Sequence, residues 1–251
     1  MLKYLAVAGA PRTGTSAMKN LLSFDDRIYI THEIGSFTTS GPLSAHQINK
    51  FVKGPNNRRT NNRKGVDVKE LVAEIKRTKA NGEKFMQLLA KWGGSDVQVV
   101  GDKEPLPYLH AIDRIINQPN TKIIILVRDG RDTVYAYTRP RKTKGSKAWW
   151  RADNLVRAQQ IWIDAMRVVW DKTGGQNSDK ILLARYEEVG ADPDKFMNSV
   201  QEFMGIEPRI IPNAKYFKPT RSGEWPEKMP HLMDAATLEF IQYLEFFGYE
   251  V

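Results

Sequence analysis

Residues 9–16 read GAPRTGTS, with an apolar run before them and helix-spaced apolar residues after them. A glycine turn between a strand and a helix aims backbone N–H groups at an anion, and the helix dipole adds partial positive charge there. Gly9, Gly14 and Ser16 fit the nucleotide-binding pattern G-x-x-x-x-G-K-[ST], but Thr15 stands at the lysine position. That lysine supports the β- and γ-phosphates of a nucleoside triphosphate, so its replacement counts against triphosphate hydrolysis. Arg12, earlier in the loop, supplies a cation from another direction. A second cluster, RDGRD at 128–132, closes the apolar segment KIIILV at 122–127. Ligands of open α/β sheets bind beyond the carboxyl ends of the strands, and arginine forks match phosphate oxygens. Arg128 and Arg131 therefore mark a second anion position. Arg128 stands where a magnesium-holding acidic residue would be sought. Together the clusters point to a ligand with two separated phosphates, held by cations and not by metal.

The elements that must carry these residues follow from apolar spacing. Residues 2–8, 27–31, 97–101, 122–127 and 181–184 read as strands, with KIIILV the strongest and central. Thr15 and Ser16 offer N-cap chemistry ahead of Ala17, Met18, Leu21 and Leu22. Helices are expected within 66–92, broken at Asn81-Gly82, and over 105–117, 154–170, 193–204 and 234–247. Strands alternating with helices imply one α/β domain over 1–251, a P-loop-type parallel sheet flanked by helices on both faces.

Composition bounds the remaining possibilities. The 251 residues include no cysteine, which excludes a disulfide framework, a cysteine nucleophile and cysteine metal ligands. No apolar run is long enough to span a membrane, and the N-terminal run leads straight into the glycine loop. The chain thus reads as cytoplasmic or otherwise soluble, with no signal peptide or transmembrane anchor. The net charge of +9 implies an anionic partner. Eleven basic residues fall in two acid-free runs, 53–64 and 139–151, both expected to be loops.

GAPRTGTS followed by LVRDGRD resembles the 5′- and 3′-phosphate motifs of sulfotransferases that use 3′-phosphoadenosine 5′-phosphosulfate (PAPS), with the tyrosylprotein branch nearest in flavour. The resemblance extends to GDKEP at 101–105, LLARYEEV at 182–189, SGEWPEKMP at 222–230 and FFGYE at 246–250. It implies the sulfotransferase fold and transfer of a sulfuryl group from PAPS to an acceptor hydroxyl, leaving adenosine 3′,5′-bisphosphate, with no metal required. By resemblance, Arg12 and the backbone of Thr13, Gly14, Thr15 and Ser16 hold the 5′-phosphosulfate. Arg128 grips the 3′-phosphate, Tyr186 lies near the adenine or 3′-phosphate, and Arg221, Ser222 and Gly223 close over the nucleotide. Glu33, twenty-one residues after Arg12, is the expected general base; His32 competes on intrinsic proton affinity. Lys103 and Arg12 stabilise the leaving phosphate.

The chain departs from the family pattern at two places. Ala136 stands where a serine usually contacts the 3′-phosphate; Ser146, Ser222, Arg139 or Arg141 are the candidates to compensate. Gly223 stands two residues before the loop tryptophan, Trp225, with Ser222 adjacent. The basic runs suit an acidic acceptor, such as an acidic peptide bearing tyrosine or an anionic glycan, or serve as solvated lids. Two other classes remain open: a P-loop nucleotide-binding kinase, which Thr15 disfavours, and a non-catalytic nucleic-acid-binding protein stacking bases on Trp149 and Trp150. The alternative for that tryptophan pair is to begin the long helix and pack in the core.

Overall fold

The computed structural model describes residues 1–139, 150–214, 217 and 222–251, with only the backbone of Arg63. Five strands form one parallel sheet: β1 Lys3–Gly9, β2 Ile28–His32, β3 Val99–Lys103, β4 Thr121–Val127 and β5 Ile181–Arg185, in the order β2-β3-β1-β4-β5. The uninterrupted apolar reading of β4 has a direct cause. Ile123, Ile125 and Val127 pack into the core on one face of the sheet, and Ile124 and Leu126 into the core on the other. A strand covered on both faces needs no polar alternation.

Helix α1 (Thr15–Leu22) follows β1, and α2 (Ala45–Lys53), α3 (Pro55–Arg63), α4 (Val68–Thr78) and α5 (Gly82–Trp92) separate β2 from β3. Between β3 and β4 lie α6 (Pro105–His110) and α7 (Ile112–Ile116); after β4 come α8 (Gly130–Thr138) and the long α9 (Leu155–Thr173). Helices α10 (Tyr186–Ala191), α11 (Pro193–Met204), α12 (Trp225–Lys228) and α13 (Leu238–Phe246) complete the chain.

Five expectations change. The basic run 53–64 is not a loop; most of it is α3. Its Asn57, Thr60 and Asn61 are buried, and they are held by hydrogen bonds to His32, Lys19 and Tyr29. A helix packed through polar side chains carries no apolar periodicity to read. The helix expected over 105–117 is two short ones, divided at Ala111, and the last helix starts at Leu238, preceded by a 3₁₀ turn at Met233–Ala235. The N-cap of α1 is Gly14 in a left-handed conformation (φ 98°), with no side-chain cap. Trp150 precedes α9 by several residues and packs at the core's edge against Tyr137, ring centroids 6.1 Å apart. Trp149 and most of the 139–151 run lie outside the described residues.

Candidate active site

In a parallel sheet all strands end on one side, so the segments after β1, β2, β3 and β4 converge there. They line a cavity of about 1090 Å³ whose wall includes Arg12, Ser16, Glu33, Lys103, Arg128 and Tyr186. The loop after β1 is fixed from below. The hydroxyl of Tyr137 donates to the Pro11 carbonyl at 2.8 Å, and the buried Thr13 hydroxyl donates to the Ala10 carbonyl at 2.8 Å. Gly14 is a steric requirement as well as a conformational one: a Cβ there would come 2.4 Å from the Tyr186 ring. The start of α1 has no side-chain cap, and Gly14, Thr15 and Ser16 line the cavity there, where helix N–H groups and the helix dipole favour an anion. The Arg12 guanidinium lies 5.4 Å from the Trp150 ring centroid.

Arg128 is buried at the end of β4, its guanidinium 4.9 Å from the Tyr186 ring centroid. It donates to the Arg12 carbonyl at 3.3 Å and meets Asp132 at 3.5 Å. The second arginine of that motif turns elsewhere. Arg131 pairs with Asp129 at 2.8 Å, donates to the Glu250 carbonyl at 2.7 Å and stacks over Trp225, so it anchors the C-terminal segment.

Register places His32 beside Lys103 at the ends of β2 and β3. The Glu33 amide then donates to the Lys103 carbonyl at 2.7 Å, and Glu33 takes a left-handed turn (φ 57°). Its carboxylate meets the Lys103 ammonium at 2.7 Å through Oε1 and the Lys50 ammonium at 3.2 Å through Oε2. Burial works to raise the Glu33 proton affinity, but the charge and hydrogen bond of Lys103, with His32 and Lys50, outweigh it and hold the pKa at about 2. Lys103 is fully buried; that burial pushes its own pKa down while Glu33 pulls it back up. His32 Nε2 lies 3.1 Å from the Ser16 hydroxyl and 2.8 Å from the Asn56 amide. Burial, then the charges of Lys103 and Lys19, lower its pKa to about 4.

Arg12, Gly14, Thr15, Ser16, Glu33, Lys103, Arg128 and Tyr186 thus share one cavity, which Ala136 and Arg139 also line. The Thr13 side chain is turned inward. Ser222 and Gly223 are exposed and off the cavity wall; the Gly223 amide donates to Asp132 at 2.7 Å. Arg221, Arg141 and Ser146 lie outside the described residues. Lys50 and Glu104 are on the wall without having been singled out for it. Lys50 sits in no motif, and Glu104 lies within GDKEP.

The model of a sulfotransferase family matches residues 5–209. A protein-tyrosine sulfotransferase of Drosophila melanogaster is 22% identical over 200 residues, covering 80% of this chain and 37% of that protein. Protein-tyrosine sulfotransferase 2 of Gallus gallus is 22% identical over 201 residues, covering 80% and 50%. The chain therefore spans half or less of the length of these curated relatives. In fold it is similar to the sulfotransferase domain of the Synechococcus PCC 7002 olefin synthase, with TM-score 0.65 and 18% identity over 100% of this chain and 96% of that one. It is likewise similar to a sulfotransferase from Alicyclobacillus acidocaldarius, with TM-score 0.56 and 17% identity over 100% and 98%. The family match over most of the chain, on a sheet that gathers the loop after β1, Glu33, Lys103 and Arg128 at one end, makes this chain a member of the sulfotransferase family.

Proposed function

We propose that this chain transfers the sulfuryl group of PAPS to the hydroxyl of an acceptor and releases adenosine 3′,5′-bisphosphate. The observation that carries the reading is the Glu33–Lys103 pair, set in one cavity with the uncapped start of α1 and with Arg128. The residues present suit a nucleotide with two anionic ends. Arg12 and the backbone from Thr13 to Ser16 receive the 5′-phosphosulfate, Arg128 receives the 3′-phosphate, and Tyr186 flanks the nucleotide. Arg221, Ser222 and Gly223 belong to the segment assigned to cover it.

Glu33 accepts the acceptor's hydroxyl proton, and Lys103 with Arg12 meets the charge that develops on the leaving phosphate oxygen. His32 is the weaker candidate for base because its Nε2 is already engaged by Ser16 and Asn56. Lys103 serves both halves of the reaction. As it moves toward the leaving oxygen it loosens its hold on Glu33, whose carboxylate then becomes a better base.

An acidic acceptor, tyrosyl or carbohydrate, fits the exposed Arg58 and Arg59 of α3 and the basic run that follows α8. The test is transfer from labelled PAPS to a panel of acidic peptides, glycans, phenols and steroids. In Glu33→Gln, transfer falls by at least about 100-fold while adenosine 3′,5′-bisphosphate still binds. Full activity in that variant moves the base to His32. Tight magnesium-dependent ATP binding without affinity for the bisphosphate overturns the whole reading in favour of a kinase-like protein.

A further inference from the structure

Glu104 follows Lys103 directly and lines the same cavity as Glu33 and Lys50. It occupies the N-cap position of α6, yet its side chain does not cap the helix. The carboxyl instead lies under the turn after β2: a Cβ built on Gly35 would come 3.1 Å from Glu104 Oε2. Among the described residues it makes no direct hydrogen bond or salt bridge.

The groups that act on it are Asp102 and Lys103 from β3, Glu33 from the turn after β2 and Lys50 from α2, with His110 of α6 on the same wall. Burial first, then the charges of Asp102 and Glu33, raise its pKa to about 7 against the opposing pull of Lys50 and Lys103. Glu33, clamped by two ammonium groups, is held at about 2. One cavity therefore contains two carboxyls whose surroundings drive their proton affinities apart, which divides the acid–base work between them.

Resting on the sulfuryl-transfer reading, we propose that Glu104 is the carboxyl on which the acceptor's proton comes to rest. The acceptor O–H bond breaks as the new O–S bond forms. The S–O bond to the 5′-phosphate breaks and leaves its electron pair on that phosphate oxygen. Glu33 receives the proton but, beside Lys50 and Lys103, does not keep it; Glu104, on the same wall, does. The negative charge gained by the leaving phosphate and the proton held by Glu104 then balance within one cavity, so the product complex holds a fraction of a proton more than its separated parts near neutral pH.

Titration calorimetry with adenosine 3′,5′-bisphosphate, near neutral pH in buffers of different ionisation enthalpy, tests this without an acceptor. The wild-type chain takes up a fraction of a proton on binding. Glu104→Gln binds within about threefold of the same affinity and loses that fraction, while Glu104→Asp retains it. Uptake by the nucleotide's own phosphates, by His32 and by His110 is common to all three proteins and cancels in the comparison. As an independent readout, carbon-13 labelling of the glutamates shows a carboxyl titrating near neutrality in the wild type, absent from Glu104→Gln, that moves to higher pH when the bisphosphate is added. Equal proton uptake in wild type and Glu104→Gln, or no glutamate carboxyl titrating above about pH 6, overturns the role of Glu104 and leaves the donor site standing. Failure of the wild type to bind the bisphosphate overturns the donor reading and this proposal with it.

Discussion

Asp102 shows how one buried residue builds the geometry of another. Its carboxylate accepts from the Thr31 hydroxyl at 2.7 Å, the Tyr108 hydroxyl at 2.6 Å and the backbone amides of Ile34 at 3.1 Å, Gly35 at 2.8 Å and Ser36 at 3.4 Å. These bonds close the turn that presents Glu33 to Lys103. They also satisfy donors that have no access to water, which is what makes a buried charge tolerable. Asp102 thus acts as a positioning residue. Asp102→Asn sets an amide donor against this ring of donors. It is expected to lower stability by about 3 kcal/mol in denaturant titration. It also lowers kcat while leaving the bisphosphate Kd close to wild type, because the loop after β1 and Arg128 do not depend on it. An equal loss in both parameters assigns Asp102 a purely structural role.

At the scale of elements, the edge strand β2 raises the question of what covers its free backbone. Helix α3 answers it through a side chain. Asn57 accepts from the His32 amide at 2.7 Å and donates to the His32 carbonyl at 3.1 Å, pairing with one residue as a neighbouring strand would. The same helix turns its carbonyl at Asn56 and its hydroxyl at Thr60 toward the buried Lys19 of α1. So α3 blunts the sheet edge next to Glu33 and ties it to α1, whose first residues line the same cavity. Asn57→Ala should cost about 1–3 kcal/mol, since two backbone groups lose their partners. Hydrogen exchange should show faster exchange at His32 and Glu33 than in the centre of β4. Unchanged protection at His32 removes the edge-pairing role.

For the whole molecule, the sheet divides two apolar cores that share its strands. One holds Trp162, Phe240, Phe85 and Tyr108, the other Met18, Leu22, Phe196 and Met204, with β1 and β4 contributing alternate residues to both. The two cores are coupled, because β1 and β4 bury side chains in both. Residues 1–251 are accordingly proposed to unfold as one domain. Scanning calorimetry should give a single transition with matching calorimetric and van't Hoff enthalpies. Two resolved transitions would separate the chain into independent units. The far end of the chain is tied into the same body. Arg131 holds the Glu250 carbonyl, and the Tyr249 hydroxyl bonds to Glu187 at 3.0 Å.

The sequence by itself determined the parts whose signals are local. The glycine loop 9–16, the apolar strand before Arg128 and the alternation of strands with helices are written in neighbouring residues, because backbone turns and sheet burial act over a few positions. Arg128 was legible from its place after an apolar strand, whereas Glu33 and Lys103 were legible only through the family resemblance carried by the order of motifs along the chain. Tertiary structure decided how they meet: Glu33 and Lys103 are seventy residues apart and join because β2 and β3 lie side by side. It also decided what the residue types left open. Run 53–64 forms a helix, Arg131 anchors the C-terminus, and Lys50 and Glu104 stand on the cavity wall. Polar burial and long-range ion pairing leave no periodic trace in a sequence, since their energy depends on which distant groups the fold brings within a few ångströms.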